Sequence, residues 1–162
     1  MKKFFVMLIL VAASAVLSAS YCQDAMMNIF KAKFDAMNRH DIKGLCSLYS
    51  DSARIESTGL DNIIYGPVKL AEVYNRYFKS TPDLSYKITR VTEGKNAVVV
   101  EYTSSGTFQK NEKNVPAYYK GKKYSLKNIV RIDIANNKIT GESTYFDQVS
   151  FLRQMGFFDK RK

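Results

Sequence analysis

Residues 124–147 read YSLKNIVRIDIANNKITGESTYFD, two strand-like runs divided by Asn136-Asn137. In the first run Tyr124, Leu126, Asn128, Val130, Ile132 and Ile134 alternate with Ser125, Lys127, Ile129, Arg131 and Asp133. A period of two sends the two sets to opposite faces of a sheet. Asparagine tolerates positive φ, so the Asn-Asn pair predicts a tight hairpin. Residues 138–147 are then the returning, and last, strand.

Working outward, residues 97–108 are rich in Val, Tyr and Thr and read as another strand. Residues 85–91 pair with it through a turn at Glu93-Gly94-Lys95-Asn96. The polar stretch 110–123 is a long connection. Phe151, Leu152 and Met155 indicate a short terminal helix stopped at Gly156. Toward the N-terminus the pattern is helical. Met26, Ile29, Phe30, Phe34 and Met37 recur at helical spacing over residues 24–39. Asp41 caps a second short helix whose stripe is Leu45, Leu48 and Tyr49. A short strand follows at 53–57. Gly66-Pro67 opens a third helix with the stripe Leu70, Ala71, Tyr74, Tyr77 and Phe78. Long strands after early helices predict an α+β domain with helices on one face of the sheet. No repeat or Pro/Gly-rich linker divides the chain.

The 162 residues are 46% hydrophobic and 25% charged, enough to bury one core. Residues 1–20 read as a signal peptide rather than as part of the fold. Met1-Lys2-Lys3 is basic, Phe4 to Leu17 is apolar but shorter than the ~20 residues that span a bilayer, and Ser18-Ala19-Ser20 is small. Cleavage near residues 19–22 predicts an extracytoplasmic protein, periplasmic or secreted, with no stable membrane insertion. Cys22 leaves with the leader or pairs with Cys46; otherwise Cys46 is a small buried hydrophobe. The formal charge of +10 is spread over helices, hairpins and a basic tail at 158–162, without the pattern of a nucleic-acid binder. One histidine and scattered carboxylates give no metal constellation, and no phosphate loop or nucleophile motif is present. No cofactor is expected. His40, at a helix end, reads as a favourable terminal charge.

Several stretches together resemble SnoaL-like proteins of the nuclear transport factor 2 superfamily. They are Phe34-Asp35-Ala36-Met37-Asn38-Arg39-His40-Asp41, Leu48-Tyr49-Ser50-Asp51-Ser52-Ala53, Tyr65-Gly66-Pro67, Asn137-Lys138-Ile139, Tyr145-Phe146-Asp147 and Gln154-Met155-Gly156. The resemblance spans roughly residues 24–157. It implies a cone: a strongly curved antiparallel sheet packed on about three helices, with a pocket at the open end and a tendency to form homodimers.

The resemblance places acid–base work on Asp147, which matches the Asp of a Tyr-Phe-Asp pattern. A carboxylate at the mouth of an apolar pocket would have its pKa raised by desolvation. Standing directly before the terminal helix, Asp147 also reads as an N-cap. Lys33 falls inside the apolar arc of the first helix, so it must pair, snorkel or enter a cavity. The ketosteroid isomerases that the chain resembles have an oxyanion-donating Tyr there. Their base carboxylate would fall near Ser57, and adjacent Glu56 should face the other way, which speaks against steroid isomerisation. Phe34, Tyr49, Tyr74, Tyr77, Phe78, Tyr102 and Tyr145 are candidate pocket-lining or core residues.

Three readings of function follow. One is a module binding a small apolar or amphipathic molecule. Another is a cofactor-independent isomerase, cyclase or dehydratase using Asp147 as base, with Lys33 or a Tyr as donor. The third is a non-catalytic dimerisation or interaction domain.

Overall fold

The computed structural model describes residues 25–109 and 116–159. Residues 1–24, with the expected leader and Cys22, residues 110–115 and the basic residues 160–162 lie outside them. Four helices precede, interrupt and follow a six-stranded sheet. Helix α1 covers 25–38, α2 Ile42–Ser47, α3 Gly66–Ser80 and α4 Gln148–Gln154. The strands are β1 Tyr49–Ser57, β2 Ile64–Tyr65, β3 Ser85–Glu93, β4 Ala97–Thr107, β5 Lys123–Ala135 and β6 Lys138–Phe146.

The helices form where the apolar stripes lie. Met26, Phe30, Phe34 and Met37 of α1 are buried, as are Leu70, Tyr74 and Phe78 of α3, spaced one turn apart. Asp41 caps α2 by accepting from Gly44 N. Gly66 opens α3 at φ +75°, and a Cβ there would stand 2.6 Å from Asp51 O, so only glycine fits. His40 takes φ 54°, stacks on Phe78 at 4.0 Å, and its Nε2 lies 2.8 Å from Leu84 O. It fastens α1 to the start of β3, which is more than the helix-end charge expected of it.

The sheet order is β2-β1-β6-β5-β4-β3. The long strands β3 to β6 are antiparallel neighbours, but β1 runs parallel to β6. The sheet is therefore mixed, not wholly antiparallel as expected. The last strand returns beside the first, whose partner no local hairpin could reveal. Asn136 and Asn137 take φ 51° and 57° in the β5–β6 hairpin. Register shifts interrupt the β1–β6, β3–β4 and β5–β6 ladders. Bulges of this kind bend strands and curl the sheet.

One shift decides the site. Ile134 pairs with Ile139, yet Asp133 pairs with Gly141, so Thr140 is the extra residue. Before it Ile139 faces the core; after it Glu142 is buried and Tyr145 is exposed. An insertion of one residue moves every later side chain to the opposite face. The concave face thus receives Glu142, Thr144 and Phe146, opposite Ile132, Val130 and Asn128 of β5.

Candidate functional site

The concave face, α3 and α4 enclose a cavity of about 460 Å³. That lies within the range of roughly 300–1,000 Å³ usual for small-molecule sites. Its apolar walls include Leu70, Val73, Tyr74 and Tyr77 from α3, Tyr102 from β4 and Leu126 from β5. Phe151 and Leu152 of α4 and the exposed Gly59 and Gln148 also border it, so the mouth lies on that side.

A polar cluster forms part of the wall. Glu142 is 5% exposed and lines the cavity. Lys33 Nζ lies 3.5 Å from Glu142 Oε1, and Thr144 Oγ1 donates to the same oxygen at 3.3 Å. The Tyr49 hydroxyl donates to Glu142 Oε2. Lys33 is 1% exposed and also reaches Met37 Sδ at 3.2 Å. A buried charge without such partners would be heavily penalised, so the cluster stands as a unit. Burial pushes the Tyr49, Tyr74 and Tyr102 hydroxyls above the ordinary tyrosine range, and the nearby Glu142 charge adds to the effect. These phenols remain donors over the neutral range.

Asn128 forms a second polar station. It is 7% exposed, and its Nδ2 donates to Leu126 O at 2.8 Å, Ser104 Oγ at 3.0 Å and Tyr102 O at 3.4 Å. Asn128 and Ser104 both line the cavity.

The structure brings Tyr74, Tyr77 and Tyr102 to the cavity wall as candidates. Lys33 stands behind Glu142 rather than in the lining. Tyr49 also stands behind it, held by its hydrogen bond. Phe34 packs edge-on against the Tyr102 ring at 5.1 Å and is core. Phe78 is core beneath His40. Tyr145 is 55% exposed on the convex face, a correction imposed by the Thr140 bulge. Asp147 is corrected too. It is exposed, is absent from the cavity lining and accepts from Ser150 N at 3.0 Å as the N-cap of α4. Lys33 therefore pairs with Glu142, not with Asp147. Glu56 and Ser57 both border the cavity, because β1 ends at its rim. Glu142 was missed because uninterrupted alternation from Ile139 points it outward. Gly141 beside it was the available signal, since glycine inside a strand often marks a bulge. Among the described residues, no group of three or more His, Cys, Asp or Glu side chains could hold a metal ion. No helix among them is long and apolar enough to cross a membrane.

Residues 30–142 match the SnoaL-like domain. The chain belongs to the SnoaL-like domain family. No curated protein matches it by sequence. Solved structures match it across most of both chains. A candidate SnoaL-like polyketide cyclase from Jannaschia sp. CCS1 has a TM-score of 0.73 at 14% identity, covering 83% of this chain and 93% of that one. An LEH-like epoxide hydrolase from M. tuberculosis has a TM-score of 0.65 at 16% identity, covering 82% and 90%. A protein with a ketosteroid isomerase-like fold from Catenulispora acidiphila, in complex with trimethylamine, has a TM-score of 0.66 at 16% identity, covering 79% and 92%. At these identities the likeness establishes a shared fold, and SnoaL-like membership carries no single chemistry.

Proposed function

We propose that this SnoaL-like protein holds a small, largely apolar molecule in its cavity, outside the cytoplasm. The observation that carries the reading is an apolar hollow of about 460 Å³ with the paired Glu142 in its wall. Apolar walls supply affinity, and a few placed polar groups fix orientation. Lys33 offsets the charge of Glu142, which favours holding a ligand over drawing a proton from it. Small-molecule complexes among structures of this fold, such as the one with trimethylamine, support the reading. The extracytoplasmic location rests on the sequence of residues 1–20.

The test is saturable binding of the neutral fluorescent dye Nile red by the leader-free protein. Val73→Trp, which adds bulk at the cavity wall, should weaken binding at least tenfold, a loss of about 1.4 kcal/mol, with the melting transition retained. Unchanged affinity in that variant would place the dye elsewhere and sink the reading.

A second reading has one observation in its favour. Glu142 is a cavity carboxylate with phenols nearby, the equipment of a cofactor-independent isomerase or cyclase. In that reading Glu142, and not Asp147, exchanges the proton. Turnover of an enolisable carbonyl compound that vanishes in Glu142→Gln would favour it.

A further inference from the structure

Glu142 and Asn128 occupy the same concave face on adjacent strands. Asn128 stands opposite Phe146, four residues along β6 from Glu142, a separation of about 13 Å along the strand. The cavity therefore carries two polar stations separated by apolar wall.

Their hydrogen-bonding capacity is unequal. Both hydrogens of the Asn128 amide are engaged by Leu126 O, Ser104 Oγ and Tyr102 O. Its Oδ1 accepts no hydrogen bond among the described residues, although the side chain is more than nine-tenths buried and lines the cavity. Ser104 Oγ accepts from Asn128, which leaves its own hydrogen to donate. An acceptor and a donor thus stand side by side, the complement of a hydroxyl or a carboxamide. At the other station Glu142 can only accept while ionised.

Charge narrows the class further. Among the described residues, the charged side chains in the lining are Glu142 and Glu56, the latter paired with Arg54 at 2.8 Å. No Lys, Arg or His among the described residues belongs to the lining, despite a chain of formal charge +10. An anionic head entering the cavity would lose its water without gaining a cation from the described lining, since Lys33 is already committed to Glu142.

Resting on the ligand-binding reading above, we infer that the ligand is an uncharged, elongated, mainly apolar molecule bearing a hydroxyl or carboxamide, and not a carboxylate. Asn128 and Ser104 read that group, and Glu142 takes a second donor deeper along the strand. The basic surface does not select the ligand.

Displacement of bound Nile red from the leader-free protein at pH 7.5 tests this with three probes of equal chain length. Decan-1-ol should displace the dye at a concentration at least tenfold below that of decanoate, and about fivefold below that of decyl methyl ether, which lacks the donor. Asn128→Leu should erase the advantage of the alcohol over the ether. Ser104→Ala, a smaller change, should halve it or more, which keeps the test open if the Leu variant fails to fold. Decanoate equalling or beating the alcohol, or an ether as good as the alcohol, overturns the inference while leaving the cavity a binding site. Absence of any Nile red binding overturns the ligand-binding reading and this inference together.

Discussion

Lys33 Nζ and Glu142 Oε1 stand 3.5 Å apart with both side chains all but excluded from solvent. Removing one partner leaves the other charge uncompensated in the core, which costs about 3–5 kcal/mol. Lys33→Met should therefore lower stability in urea by about that amount. The double variant Lys33→Met, Glu142→Gln should be more stable than the sum of the two single losses, because no unpaired charge remains. Additive losses in the cycle would mean that the two groups do not interact.

Asp147 is a helix cap, and its removal should read as one. Asp147→Ala frees Ser150 N from its acceptor, at a cost of about 0.5–2 kcal/mol by chemical denaturation. Nile red affinity should be unchanged, because the side chain does not line the cavity. A loss of binding without a loss of stability would return Asp147 to the site.

The contrast between Asp147 and Glu142 marks how far the sequence could be read. The four long strands, the Asn136-Asn137 hairpin and the start of α3 at Gly66-Pro67 were legible, because each rests on neighbours in the chain. Tyr74, Tyr77 and Tyr102 were legible as interior, wall or core, and the structure puts them at the cavity wall. The parallel pairing of β1 with β6 joins residues some ninety positions apart, and nothing local encodes it. Thr140 did the rest. One unpaired residue turned Tyr145 outward and Glu142 inward, exchanging a predicted wall residue for an unpredicted carboxylate. Lys33 was recognised as needing a partner, but the partner was visible only once the bulge was.

The leader-like sequence of residues 1–20 gives a prediction independent of the site. Protein exported from the producing cell should begin at Tyr21 or Gln23, as cleavage after Ser20 or Cys22 requires. Intact mass spectrometry decides between them. A chain beginning at Gln23 has Cys46 as its one thiol, and that thiol is half-buried, with a pKa raised by desolvation. It should then react slowly with thiol reagents in the folded state and quickly in urea. Recovery of the full-length chain from the cytoplasm would contradict export.

The buried tyrosines in and behind the cavity wall should set the alkaline limit of stability. Burial raises the pKa of Tyr49, Tyr74, Tyr86 and Tyr102 above the ordinary value near 10. Above that pH the unfolded chain releases phenolic protons that the folded chain keeps, so the folded state binds more protons and stability falls as pH rises. The stabilising contribution is whole below about pH 10 and is lost as pH climbs toward the raised values, at about 1.4 kcal/mol per unit of difference for each group. Absorbance at 295 nm should show only part of the 11 tyrosines titrating before an abrupt rise that coincides with loss of tertiary structure. Glu142→Gln removes a charge that opposes ionisation of Tyr49, Tyr74 and Tyr102, so it should move their titration toward lower pH. A smooth curve for all tyrosines near pH 10, the same with and without that charge, would mean the phenols face water and the cavity wall is not as described.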